Sequence, residues 1–144
     1  MRHEFERMGR MDRFKFRAWD KEAEKMISFE ALKNMTSLVG NEAVTRKGVF
    51  YPFLMEELEF MQCVDRKSKS GNLIYEGDIV SWRQFCTGVV VFSCCGFFIE
   101  WDSEGFGREI YAWLGELEII GNIYENPGLL EEIERKRKVG GNNL

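Results

Sequence analysis

The side chains able to do chemistry are few and scattered. The single histidine, His3, sits in a charged stretch at the start. No Ser–His–Asp or Cys–His arrangement can be built around it. Four cysteines occur, Cys63, Cys86, Cys94 and Cys95, without a CxxC spacing. Adjacent cysteines on a regular strand point to opposite faces, which disfavours joint ligation of one ion. Buried thiols are the expectation, and no metal site or cofactor is assigned. The carboxylates of note are Asp65, Glu76, Asp78, Glu100 and Asp102. Glu76 and Asp78 flank Gly77 and would share one side of an extended segment. Such a pair could hold a cation or split its pKa values for acid–base work. The same trio suits a tight turn into a strand, with Asp78 accepting backbone N–H groups, and that structural role is preferred. Neither the dinucleotide fingerprint nor the P-loop pattern is present.

Basic residues offer binding rather than catalysis. Arg13, Lys15 and Arg17 alternate with Phe14 and Phe16, while Arg66, Lys67 and Lys69 share a polar stretch. Cations beside aromatic rings can hold phosphate while a ring stacks on a base. Alternation, however, sends rings and charges to opposite strand faces. The overall balance is 20 basic against 24 acidic residues, a net −4, which disfavours nonspecific contact with nucleic acid. Residues 2–17 run the other way, with six basic and three acidic side chains.

The elements that must position these groups are mostly short strands. Phe14, Phe16 and Ala18 fall on one face of a first strand and Trp19 on the other. Asp20–Lys25 reads as a hairpin turn, with Met26, Ile27 and Phe29 resuming a second strand. The stretch 32–40 fits strand or helix, and 40–48 reads as a polar turn. Pro52 argues against a central strand at Phe50–Phe53. In 55–64 a helical turn precedes a strand, with Leu58, Phe60 and Gln62 alternating against Met61 and Cys63. Asp65–Asn72 reads as a loop. From Ile74 to Tyr124 about five short, apolar runs follow one another with tight glycine-containing connections, the spacing of a small curved antiparallel sheet or barrel.

The C-terminal helix is the clearest element. Asn126 can cap it, and Pro127 suits its first position. Leu129, Leu130 and Ile133 form an apolar stripe, Arg135–Lys138 complement the helix dipole, and Gly140–Gly141 end it. The expected organisation is a flexible extension over 1–10, an N-terminal mainly β subdomain over 11–70 and a small β-barrel-like subdomain over 71–126. A helix over 127–139 and a flexible tail over 140–144 complete it. With 144 residues and 44% hydrophobic content, the chain can hold one modest core or two small ones. No apolar stretch is long enough to span a bilayer, and the first residues lack the apolar core of a secretory signal. No membrane partner is expected.

Three motifs carry a resemblance. Phe16-Arg17-Ala18-Trp19-Asp20 resembles the opening motif of the YopX family of phage and prophage proteins. Gly71-Asn72-Leu73-Ile74-Tyr75-Glu76-Gly77-Asp78-Ile79-Val80 resembles its central motif, and Ile120-Gly121-Asn122-Ile123-Tyr124-Glu125-Asn126-Pro127 its closing motif. Gly77, Asp78, Gly121, Asn122, Asn126 and Pro127 are the structural residues within them. The resemblance implies a mainly β fold of small antiparallel sheets, with a curved SH3-like barrel or half-barrel and a short C-terminal helix. It further implies a phage or prophage origin and a bacterial cytoplasm, and supplies no catalytic residue. The function expected is a non-catalytic accessory module that binds protein, with self-association into a homo-oligomer one form of this. The alternative is a nucleic-acid-binding module using basic residues on the β subdomains. Candidate contact residues are Arg17, Trp19, Arg66, Lys67, Lys69, Leu129, Leu130 and Ile133.

Overall fold

The computed structural model describes residues 15–33, 35–39, 42–45, 50–54, 58–94, 96–113 and 115–141. The expectations for 1–10, His3, Arg13, Phe14, Cys95 and 142–144 lie outside the described residues. The fold is mainly β, with antiparallel sheets, one of them a curled half-barrel, and a C-terminal helix. Two compact units divide between Gln62 and Cys63, inside a strand.

The first unit opens with β1 (Phe16–Asp20) and β2 (Lys25–Ile27), an antiparallel hairpin. Its turn is tied by Asp20, whose Oδ1 accepts the N–H groups of Glu22 and Ala23 at 3.1 Å. Phe29 does not continue β2 as its alternation suggested. It starts a short helix, α1 (Phe29–Lys33), because Ser28 Oγ accepts the Ala31 N–H at 3.2 Å and caps the turn. Three strands follow, β3 (Met35–Val39), β4 (Glu42–Thr45) and β5 (Phe50–Leu54), in the order β3-β4-β5. The stretch expected as a polar turn therefore contains β4. Pro52 is tolerated because β5 lies at the sheet edge. β6 (Leu58–Lys67) pairs with β1, and Ala18 and Leu58 form a small core with Ile27 and Leu32.

β6 runs on where a loop was expected from Asp65. Asp65 has φ 64°, and the pairing of β6 with β7 (Leu73–Tyr75) shifts register between Cys63 and Lys67. That bulge lets the neighbours Cys63 and Val64 both be buried. The second unit continues with β8 (Asp78–Trp82), β9 (Cys86–Ser93), β10 (Gly96–Trp101), a 3₁₀ turn (Ile110–Trp113), β11 (Leu117–Asn122) and α2 (Pro127–Gly141). Its sheet has the order β10-β9-β8-β11. Ile74, Val80, Val90, Ile99, Ile110 and Leu117 fill one side of it. The other side is covered by α2, whose Ile133, with Leu129 and Leu130, packs on Ile79, Val89, Val91 and Ile123. The helix runs through Gly140 and Gly141 rather than stopping at them. Among the described residues no helix is long and apolar enough to cross a membrane.

Candidate interaction surface

Among the described residues, the second unit's most exposed aromatic side chain stands at the tip of the β8–β9 hairpin. Trp82 pairs with Cys86, leaving three residues for the reversal. The Phe85 N–H donates to the Trp82 carbonyl at 2.9 Å, which puts Arg83 and Gln84 at the centre of the turn. Both have positive φ, 49° and 64°. A right-twisted hairpin favours this left-handed pair of conformations, which Asn-Gly adopts readily and which costs other residues on the order of 1 kcal/mol each. The consequence is a projecting Phe85, 76% exposed.

The finger has a firm base. The Phe85 ring centroid lies 5.8 Å from that of Trp82, and the Arg83 guanidinium lies 5.2 Å from the Trp82 ring on a cation–π contact. Glu116 accepts the Trp82 indole N–H at 3.3 Å and lies 3.6 Å from the Arg83 guanidinium. Behind Trp82, Trp113 packs edge-on at 5.1 Å, and Trp101 packs on Trp113 at the same distance. The carbonyl of Gly107 accepts the indole N–H groups of both Trp101 and Trp113, at 2.8 and 2.7 Å. Trp101, Trp113 and Trp82 thus form a continuous run of ring contacts from the core to the tip. Phe85 and Arg83 were not singled out from sequence. Their signal was three non-glycine residues between two apolar runs.

The residues singled out from sequence lie on different elements. Arg17 and Trp19 lie half-buried on β1, opposite Met61 and Glu59 of β6. Arg66 donates from Nη1 to the Asp65 carbonyl at 2.7 Å and lies 5.1 Å from the Tyr111 ring. Lys67 and Lys69 have exposed side chains, and the Lys69 N–H donates to the Leu117 carbonyl at 2.7 Å. Leu129, Leu130 and Ile133 pack within their own unit.

The motif residues build turns. Gly77 has φ 87°, donates its N–H to the Val90 carbonyl and accepts from the Ile123 N–H. Asp78 is 1% exposed and its Oδ2 accepts the Tyr75 N–H at 2.8 Å. Glu76 lies in the turn before β8 rather than beside Asp78 on an extended strand. Asn122 Oδ1 accepts the N–H groups of Tyr124 and Glu125 at 3.0 and 2.8 Å. Asn126 does not spend its side chain on the helix. Its Oδ1 turns back to the Asn122 N–H at 3.1 Å, while its main-chain carbonyl accepts from Leu129 at 3.1 Å. Pro127 is the first residue of α2.

The remaining chemical groups are engaged elsewhere. Cys63 and Cys86 are buried, whereas Cys94 is exposed at the β9–β10 turn with φ 34°, against the expectation of burial. Burial pushes the Cys86 thiol up to about 11, and the nearby Asp102 carboxylate adds to the effect. Asp102 Oδ1 accepts the Thr87 N–H at 3.2 Å, and its Oδ2 lies 3.7 Å from Lys136 Nζ. Glu100 lies 3.0 Å from Arg137 and 3.8 Å from Arg108. Glu100, Asp102, Arg108 and Arg137 line an open groove of about 600 Å³ whose walls include Trp101, Phe106 and Glu134. Among the described residues no group of three or more His, Cys, Asp or Glu is placed to hold a metal ion.

A curled antiparallel half-barrel with a helix packed on one side, and turns built from paired glycine and asparagine motifs, defines a small β module. The family profile described as YopX protein matches residues 15–131, and the chain belongs to the YopX family. Among solved structures it is similar to protein EF1440 from Enterococcus faecalis, with a TM-score of 0.53 and 24% identity over 81% of this chain and 96% of that one. That likeness shows a shared fold. No functionally curated protein matches the chain.

Proposed function

We propose that this chain is a non-catalytic protein-interaction module, of phage or prophage origin and acting in the bacterial cytoplasm, whose contact surface is the β8–β9 tip. Phe85 carries this reading. Fully burying a phenylalanine is worth about 1.5–3 kcal/mol, and the tip instead holds this one out on a turn of two left-handed residues. Trp, Arg and other aromatic residues are the side chains that dominate protein interfaces, and Trp82, Arg83, Phe85 and Trp113 are gathered here. The absence of catalysis is supported by the structural engagement of Asp78 and Asp102. Membership of the YopX family supports the phage origin.

The nucleic-acid alternative has less support. Arg83, Arg108, Arg135, Lys136 and Arg137 each lie within 4.0 Å of a carboxylate, which offsets their attraction for phosphate.

A photoreactive phenylalanine analogue at position 85, with a control at the exposed Glu118, tests the reading in host cells. Discrete protein adducts from position 85, absent from 118 and weakened by Arg83→Ala, are the expected result. Equal labelling from both positions, or none from 85, refutes it.

A further inference from the structure

We infer that the partner of the β8–β9 tip is a second copy of this chain, paired about a two-fold axis so that Arg83 of each protomer faces the partner's Glu116. This rests on the reading of the tip as a protein contact surface and adds the identity of the partner.

A two-fold contact uses the same patch twice, so the patch must complement itself. The tip meets that condition in three ways. It carries one cation and one anion, Arg83 and Glu116, with side chains 63% and 46% exposed. It carries an exposed apolar ring, Phe85, with a second ring, Trp82, against it. Its charges sum to zero, while the whole chain carries −4. Two copies of an acidic chain repel each other in general, so a self-contact belongs where the charge cancels locally.

The existing Arg83–Glu116 approach does not compete strongly with such pairing. At 3.6 Å it is longer than a good charge-assisted hydrogen bond, and both groups are well solvated. Exchanging this neighbour for the same group on the partner preserves every charge contact and gains the burial of two phenylalanine rings. Trp82 is held against Trp113, and Trp113 to the Gly107 carbonyl, so the platform under Phe85 is set before association. The contact then requires only that the exposed Arg83 and Glu116 side chains change partner. The surface at a hairpin tip is small beside the roughly 800 Å² per partner of a standard interface, so the dimer is reversible and concentration-dependent.

Sedimentation velocity over a wide concentration range tests this, under reducing conditions so that the exposed Cys94 forms no cross-link. The wild-type chain is expected to pass from monomer to dimer. Arg83→Glu and Glu116→Arg, each alone, place like charges opposite each other twice and should raise the dissociation constant roughly tenfold or more. An equimolar mixture of the two variants places opposite charges at both contacts and should restore the dimer as a heterodimer. Only an intermolecular pairing predicts that rescue. Phe85→Ser, a change at an exposed ring, should likewise weaken the dimer and serves if a charge variant fails to fold. A wild-type chain that stays monomeric overturns the inference, as does a dimer that Arg83→Glu and Phe85→Ser leave intact. If the chain is monomeric but position 85 cross-links a different protein, self-pairing falls and the interaction module stands. If neither a dimer nor an adduct forms, both fall.

Discussion

Gly121 and Asn126 are in direct apposition: a Cβ added at Gly121 would lie 2.5 Å from Asn126 Oδ1 and 2.7 Å from its Cγ. The amide that would be struck is the one bonded to the Asn122 N–H, at the shift in register between β11 and β8. The closing motif is therefore a single packed turn, in which glycine makes room for the asparagine that ties the end of β11 to the start of α2. Gly121→Ala should cost about 1–3 kcal/mol by overpacking. Asn126→Ala should cost about 1 kcal/mol for the lost hydrogen bond. The two changes should not add, because removing the amide also removes most of the clash. Urea denaturation of the two single variants and the double variant measures this coupling. Strict additivity would rule out the steric account.

Gly88 faces a stiffer neighbour. A Cβ there would meet Ile99 Cγ2 at 2.6 Å and the Glu100 carbonyl oxygen at 2.9 Å. A paired strand backbone cannot swing aside as an amide side chain can, and Gly88 itself pairs with Trp101 in the β9–β10 ladder. Gly88→Ala should therefore destabilise the protein more than Gly121→Ala, by roughly 3 kcal/mol or more if the sheet holds its register. Chemical denaturation of the two alanine variants side by side gives the ranking, and a smaller loss at Gly88 would contradict it.

Where a segment's local pattern agrees with its long-range contacts, the sequence shows the structure. The stripe of Leu129, Leu130 and Ile133 has helical spacing and does face a sheet. Phe16 and Ala18 alternate with Trp19 on a strand as their period requires, although Phe16 remains 38% exposed. Phe29 misled because its spacing from Ile27 also fits a strand, and a five-residue helix is too short to show a period of 3.6. β4 was missed because Glu42–Thr45 has no strong pattern of its own. It is held by pairing on both sides with β3 and β5. The tip was missed for a related reason. Phe85 projects because Trp82 pairs with Cys86, and that register depends on two strands together rather than on either alone.

Cys86 should make stability fall at alkaline pH. Its thiol is raised from 9.0 to about 11 in the folded chain, first by burial and then by Asp102. Above about pH 9 the unfolded thiol ionises while the folded one stays protonated, so the folded state binds more protons and loses ground as pH rises. The contribution is therefore complete below about 9 and is lost between 9 and about 11. Comparing the wild type with Cys86→Ala by urea denaturation across that window isolates it from other groups, and the variant should show the shallower decline. Asp102→Asn removes the second cause and should bring the Cys86 thiol part of the way down. Peptide mapping after alkylation at pH 8 should find Cys94 modified and Cys86 protected until the chain unfolds. Rapid labelling of Cys86 in the native protein would contradict its burial.

Gly128 offers the opposite sign from Gly88 and Gly121. It occupies the second position of α2, its φ is not left-handed, and a Cβ built on it meets nothing within 4 Å. No turn or close approach requires a glycine there. Its cost is instead the conformational freedom that it gives the unfolded chain next to Pro127. Gly128→Ala should stabilise the protein by about 0.4–1 kcal/mol, through the unfolded state rather than through new contacts. The midpoint of thermal or urea unfolding should rise while the urea m-value is unchanged. If stability falls instead, α2 begins in a geometry that an ordinary residue cannot adopt, and the open space around position 128 would not be the deciding factor.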